Sequence, residues 1–258
     1  MTYAGADGSS FGSIPTALDD GTEKIMKYTV ITIAYNEEKN IAKTMKSVLI
    51  QDYEDLEYLV IDGASSDHTA EIANRLAEES GRDVKIYSEP DFGIYNAMNR
   101  GIMRASGDYV IFMNAGDSFC CDTVLSDIER RIRQNGKAVY YGQAYLMRNG
   151  RCTGKNTTKH KFLLKGNMPI HQSVAAPLSL LKKYYFNEKY KIRGDYDWML
   201  RCYRAGIKFV NMDFPVCRYE NSGLSARASM KKLLQQETVT IRRDIYPIIG
   251  RICERLGM

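Results

Sequence analysis

Within residues 28–113 a short β-branched run repeatedly stops at a polar cluster and gives way to helical spacing. Tyr28–Ala34 is too short and too β-branched for a helix; after the polar residues 35–40, Ile41, Met45, Val48 and Leu49 recur on one helix face. Residues 56–61 form a second run, ending at Asp62-Gly63-Ala64-Ser65-Ser66-Asp67, and residues 69–79 are amphipathic up to Gly81, a helix-stop residue. Val84–Ser88 reads as a third strand, 94–105 as a third helix and 109–113 as a fourth strand. Strands alternating with helices across short loops predict a parallel sheet covered by helices, with right-handed crossovers. Ligands bind beyond the carboxyl ends of strands in such sheets. The polar clusters starting at Tyr35, Asp62 and Asn114 each follow a strand directly, so they predict one site at one edge.

The alternation weakens after Asp127. The pattern predicts a helix over 123–134, a hairpin of 138–148 and 151–153 around Asn149-Gly150, a basic stretch reaching Lys165, and closing helices over 228–243 and 246–256. There is no internal repeat and no linker long enough to separate two domains. Residues 1–25 are rich in Gly, Ser, Ala and Asp without a period, and are expected to be a disordered or added leader, with a natural start at Met26.

Composition narrows the class. With 44% hydrophobic residues and 6 prolines, the chain is neither collagen-like, low-complexity nor disordered, and no apolar run reaches the roughly 18 residues of a membrane span. The formal net charge of +5 hides a division: residues 1–127 hold 10 Lys+Arg against 22 Asp+Glu, and the rest hold 26 against 9. An acidic half suits hydroxyl, base or cation recognition; a basic half suits an anionic acceptor, a membrane surface or nucleic acid. The 6 cysteines include no C-x-x-C pair and read as reduced cytoplasmic thiols, and no His/Cys spacing supports zinc.

Three segments taken together carry a resemblance. Thr32-Ile33-Ala34-Tyr35-Asn36-Glu37-Glu38, Val60-Ile61-Asp62-Gly63-Ala64-Ser65-Ser66-Asp67-His68-Thr69 and Gly107-Asp108-Tyr109-Val110-Ile111-Phe112-Met113-Asn114-Ala115-Gly116-Asp117 resemble, in order and spacing, the family 2 glycosyltransferases of GT-A fold. The resemblance spans roughly residues 28–219. It implies an α/β GT-A architecture, Rossmann-like and mostly parallel, over 26–225, with 26–120 binding a nucleotide-sugar, 121–225 binding the acceptor and 226–258 a basic helical extension. It implies that Asp62 reads the base, that Ala34, Tyr35 and Glu37 wall the same pocket, and that Asp91 lies beneath the diphosphate. Asp67 fits a cap of the following helix at least as well as a pocket role.

The family's Asp-x-Asp after strand four is replaced by Asn114 and Gly116. The resemblance therefore leaves Asp117 as the metal ligand, with Asn114 offering a carbonyl oxygen, for a divalent cation (Mn2+ or Mg2+) shared with phosphates; Asp117 also fits a turn cap. Arg193-Gly194-Asp195-Tyr196-Asp197-Trp198-Met199-Leu200-Arg201 resembles the family's Glu-Asp-x-Asp-x-x-x-Arg segment with Gly194 in place of its glutamate. Asp195 aligns with the catalytic base and Asp197 with a structural acid at a helix start. His171, in Pro169-Ile170-His171-Gln172, is either a hydrogen-bonding site residue near the sugar or a packed histidine.

These readings converge on a cytoplasmic, inverting glycosyltransferase of bacterial surface-polysaccharide synthesis. It would use a nucleotide-sugar, UDP before GDP, and a carbohydrate or lipid-diphosphate-linked acceptor. The basic stretch fits a solvated surface or peripheral contact with anionic lipid on the inner face of the plasma membrane; nucleic acid is disfavoured because aromatic residues are not interleaved with it. The competing class is a non-catalytic nucleotide-sugar-binding or scaffold protein of the same fold. A dinucleotide oxidoreductase or nucleotidyltransferase lacks its Gly-rich phosphate loop here.

Overall fold

The computed structural model describes residues 25–221 and 228–246. The expected alternation is present in its first part: β1 (Tyr28–Ala34), α1 (Ile41–Leu49), β2 (Leu56–Asp62), α2 (Thr69–Ser80), β3 (Val84–Ser88), α3 (Ile94–Arg104) and β4 (Tyr109–Phe112). Pairings of β1 with β2, β1 with β4 and β2 with β3 are all parallel. Every residue of β1, β2 and β4 is buried, the signature of parallel strands covered on both faces.

Side-chain alternation divides the core into two layers. Ile31, Ile33, Leu59 and Ile61 pack on one face with Met98 and Ile102 of α3. Tyr28, Val30, Tyr58 and Val60 pack on the other with Met45 and Val48 of α1 and Leu76 of α2.

The second part departs from simple alternation. It contains β5 (Ser118–Phe119), α4 (Val124–Asn135), β6 (Val139–Arg148), β7 (Arg151–Asn156), β8 (Val174–Pro177), α5 (Leu178–Lys183), α6 (Gly194–Arg204), β9 (Phe209–Glu220) and α7 (Lys231–Ile245). One sheet runs in the order β3-β2-β1-β4-β8-β6-β9-β5, with β7 paired to β6. β6 and β9 are parallel, whereas β4 with β8, β6 with β8, β6 with β7 and β5 with β9 are antiparallel. The sheet is thus parallel through β4 and mixed beyond it.

The hairpin around Asn149-Gly150 is as expected, with both residues at positive φ. β5, β8, α5 and β9 were not foreseen. β8 has only four residues, and β9 is interrupted by Pro215 and a register shift against Gln143, so neither shows clean period-2 alternation. α7 follows a short 3-10 turn, Ala228–Met230, close to the expected 228–243. The expected helix over 246–256 begins at the last described residue, and its remainder, like residues 1–24 of the expected leader, lies outside the described residues. No described helix is long and apolar enough to cross a membrane.

Candidate active site

The loops after β1, β2 and β4 meet at the carboxyl edge and are stitched together by their own polar groups. Asn36, at a φ of 53°, accepts from the Ser66 N–H at 2.9 Å while its own N–H donates to Ser65 Oγ at 2.8 Å. The Glu38 N–H donates to Asp67 at 3.1 Å, and Asp67 accepts the Thr69 N–H at 3.0 Å, so Asp67 does act as a helix-start acceptor. Asp62 is fully buried at the end of β2, where it accepts from the Ser65 N–H at 3.0 Å and from Ser88 Oγ at 2.6 Å.

A cavity of about 860 Å³ opens at this edge. Of the residues expected at the site, Ala34, Tyr35, Glu37, Asp91, Asn114, Asp117, His171 and Asp195 line it; Asp62 does not, being set one layer back. Tyr35 is 63% exposed on the rim, and neighbouring Phe92 is 95% exposed. Asp91 is held by accepting the Gly93 N–H at 2.8 Å ahead of α3.

The segment after β4 is a tight turn. The Asp117 N–H donates to the Asn114 carbonyl at 3.0 Å, and Gly116 has a φ of 99°, the geometry of a type II turn that favours glycine at its third position. Thr44 of α1 clamps this turn, accepting from the Gly116 N–H at 3.0 Å and donating to the Asp117 carbonyl at 2.7 Å. The Asp117 carboxyl turns inward: one oxygen accepts from Gln172 Nε2 at 2.5 Å and the other from the Glu220 N–H at 2.8 Å. Burial pushes its pKa up to about 7, against the lowering influence of those bonds.

This geometry bears on the expected cation. Among the described residues no group of three or more His, Cys, Asp or Glu side chains is arranged to hold a metal. The turn offers one carboxyl, already a bridge between two protein donors and with its pKa raised by burial, and the Asn114 Oδ1, which is buried without a partner. One carboxyl and one amide oxygen make no all-protein cage, and would leave most of a hard cation's coordination to the donor's phosphates and to water.

The strongest cluster lies opposite. Asp195, 7% exposed in the first turn of α6, accepts from His171 Nδ1 at 3.0 Å and from the Tyr196 N–H at 2.8 Å, with the Tyr95 hydroxyl at 3.2 Å. The far nitrogen of His171, Nε2, lies 3.1 Å from Asn114 Nδ2, while Nδ1, facing the Asp195 carboxylate, is the donor on that side. Burial works to raise the Asp195 pKa, and the His171 hydrogen bond and charge, the Arg193 charge and the Tyr196 N–H more than offset it, holding the acid below its ordinary value. The helix start adds a favourable dipole. His171 lines the cavity and bridges Asn114 and Asp195.

Asp197, one turn into α6, pairs with Arg201 at 2.8 Å, the structural role its place in the motif implied. Gly194 also finds its reason: a Cβ there would lie 2.8 Å from the Tyr95 ring, so this ring occupies the space an acid would need. Sequence reasoning missed Tyr95 and Gln172 as site-forming groups, although both lie within motif segments.

Comparison with known proteins fits this picture. The sequence profile of glycosyl transferase family 2 matches residues 29–201. The chain is 26% identical over 226 residues to a PGL/p-HBAD biosynthesis glycosyltransferase of Mycobacterium bovis, covering 86% of this chain and 88% of that one. It is 27% identical over 247 residues to the amylovoran biosynthesis glycosyltransferase AmsB of Erwinia amylovora, covering 86% and 82%. Among solved structures, residues 1–349 of S. aureus TarS in complex with UDP-GlcNAc superimpose with a TM-score of 0.68 at 20% identity, covering 84% of this chain and 66% of that one. The mannosyltransferase PcManGT of Pyrobaculum calidifontis, solved with GDP-Man and Mn2+, gives 0.61 at 16% identity, covering 90% and 75%. The fold is of the GT-A kind, similar to that of TarS, and the cavity lies at the edge where the motif loops meet. The chain belongs to glycosyl transferase family 2. It is a glycosyltransferase, which sets aside the non-catalytic alternative.

Proposed function

We propose that this glycosyltransferase inverts the configuration at the anomeric carbon and that Asp195 is its catalytic base. The observation that carries the reading is a buried carboxyl at a helix start, lining the cavity and hydrogen-bonded by the His171 imidazole. The acceptor hydroxyl gives its proton to Asp195 as its oxygen attacks the anomeric carbon; the bond to the nucleotide diphosphate breaks on the opposite face, and the electron pair leaves with the diphosphate. His171 donates Nδ1–H to Asp195 and so holds it ionised and aimed. Tyr35, with Ala34, Glu37 and Asp91, forms the donor wall, and Asp62 braces that wall from behind through Ser65 and Ser88.

The donor is a nucleotide-sugar, a UDP-sugar before a GDP-sugar, a reading supported by the UDP-GlcNAc complex of TarS. The acceptor is a carbohydrate or lipid-linked oligosaccharide of bacterial surface-polysaccharide synthesis, supported by the names of the Mycobacterium and Erwinia relatives. The basic second half supports peripheral contact with the inner face of the plasma membrane. A divalent cation enters only with the donor, and no step above requires it.

A thermal-shift panel of UDP, GDP, UDP-glucose, UDP-galactose, their N-acetyl forms and GDP-mannose, with and without Mn2+ or Mg2+, tests the donor assignment. A ligand at one hundred times its dissociation constant adds about 2.7 kcal/mol of stability. A selective shift with the UDP series supports the reading, and no shift under any condition contradicts it.

A further inference from the structure

α7 carries a carboxylate where a surface helix would present an apolar residue. Ile241 and Ile245 are buried on its inner face, and one turn before Ile241 the same face buries Glu237, only 7% exposed. A carboxylate is retained in such a place only when donors satisfy it.

The donors are three consecutive backbone groups of one loop. Glu237 accepts from the Lys191 N–H at 2.8 Å with one oxygen, and from the Ile192 N–H at 3.0 Å and the Arg193 N–H at 2.9 Å with the other. Successive N–H groups converging in this way form a concave anion site. This one is filled from within the chain.

The clamped residues lead straight into α6, whose N-cap, Arg193, makes no side-chain capping bond. Asp195 follows two residues later. The same loop is gripped from two further directions: the Tyr95 hydroxyl donates to the Ile192 carbonyl at 2.7 Å, and Arg193 Nε donates to Thr238 Oγ1, also on α7, at 3.1 Å. Leu234, a turn earlier on α7, lines the cavity. The C-terminal helix thus touches both the active-site wall and the backbone that presents the base.

We propose that Glu237 is a positioning residue: from α7 it fixes the backbone of 191–193 and thereby sets where the Asp195 carboxylate points. This rests on the reading of Asp195 as the base. The position of the carboxylate controls the rate because a misplacement of about 1 Å costs on the order of 100-fold in a reaction that depends on alignment. The donor wall proposed above, Ala34, Tyr35, Glu37 and Asp91, belongs to other elements and is expected to stay intact when the clamp is weakened.

The test uses the full chain as wild type, Glu237→Gln, Asp195→Asn and the double variant. Hydrogen exchange is followed over residues 188–198, and nucleotide release is followed from UDP-GlcNAc, UDP-glucose and GDP-mannose. In Glu237→Gln, exchange at the three amides is expected to rise about 10–100-fold, as for loss of hydrogen bonds to a charged group. Nucleotide release is expected to fall about 10–100-fold with the donor KM within about twofold. In the Asp195→Asn background the second substitution is expected to cost nothing more, because its effect runs through the missing carboxylate. Unchanged exchange overturns the clamp whatever the turnover. Raised exchange with wild-type release, or an equal loss in both backgrounds, overturns the positioning role. Near-normal release by Asp195→Asn alone refutes the base instead, while the exchange arm still reports on Glu237.

Discussion

Residues 28–113 place their polar groups by the geometry of consecutive strand-helix units, whereas residues 114–246 place theirs by contacts between distant segments. In the first region the loops after neighbouring strands bind each other, as Asn36 does with Ser65 and Ser66. In the second, Asp195 depends on Tyr95, 100 residues earlier, and on His171, while His171 reaches Asn114, 57 residues before it. The proposed donor side is thus a self-supporting edge of a parallel sheet. The side that carries the proposed base is an assembly, and is expected to be sensitive to substitutions far from it.

Asp117 sharpens the contrast most, since it joins the two regions: its carbonyl accepts from Thr44 in the first, and its carboxyl accepts from Gln172 and the Glu220 N–H in the second. Its folded-state pKa is raised from the ordinary 3.8 to about 7 by burial. The folded protein therefore holds this proton more tightly than the unfolded chain, so the contribution is full below pH 3.8 and is lost as pH rises through about 7. The expected loss is about 2–4 kcal/mol across that window, visible in denaturant unfolding at several pH values. Asp117→Asn, which cannot ionise, is expected to flatten that slope; an unchanged slope would show that Asp117 is not its source.

His171→Ala removes the imidazole between Asn114 and Asp195. Turnover is expected to fall about 10–100-fold, the effect of deleting a hydrogen bond to a charged group, with donor binding retained in the thermal-shift panel. Equal loss of donor binding would instead place His171 on the donor side. Gly194→Ala drives a methyl into the Tyr95 ring, and its expected cost is about 1–3 kcal/mol of stability, read in the unfolding midpoint, with slower turnover. A variant of wild-type stability would mean that the ring yields easily.

The smallest effect belongs to the self-supporting side. Tyr35→Ala removes an exposed rim aromatic and is expected to raise the donor KM about 5–10-fold, the low end of base-stacking contributions, with kcat unchanged. A kcat loss without a KM change would blur the distinction between the two regions.

The first region was legible because period-2 and period-3.6 patterns each extend over one element and stop at Gly or a polar cluster. The repeat from Tyr28 to Phe112 could be read residue by residue, and the motif singled out Asp195, which the structure places on the cavity. β8 and β9 could not, because a four-residue buried strand and one broken at Pro215 carry no clean period. Asp62 was expected on the cavity wall and stands behind it, since pattern fixes a residue's place on a strand and not which loop groups consume its oxygens. Asp117 was expected as a metal ligand, and its carboxyl oxygens are engaged by Gln172 and Glu220, partners from segments much later in the chain that pattern could not supply. Tyr95, by filling the space beside Gly194, explains a departure from the motif that sequence alone left without a cause.

The most direct test of the account is Asp195→Asn, compared with wild type for nucleotide release from the donor that binds in the thermal-shift panel. With folding and donor binding intact, the account expects turnover to fall by at least about 100-fold, the contribution of a general base. Near-normal turnover in a folded, donor-binding variant would contradict it.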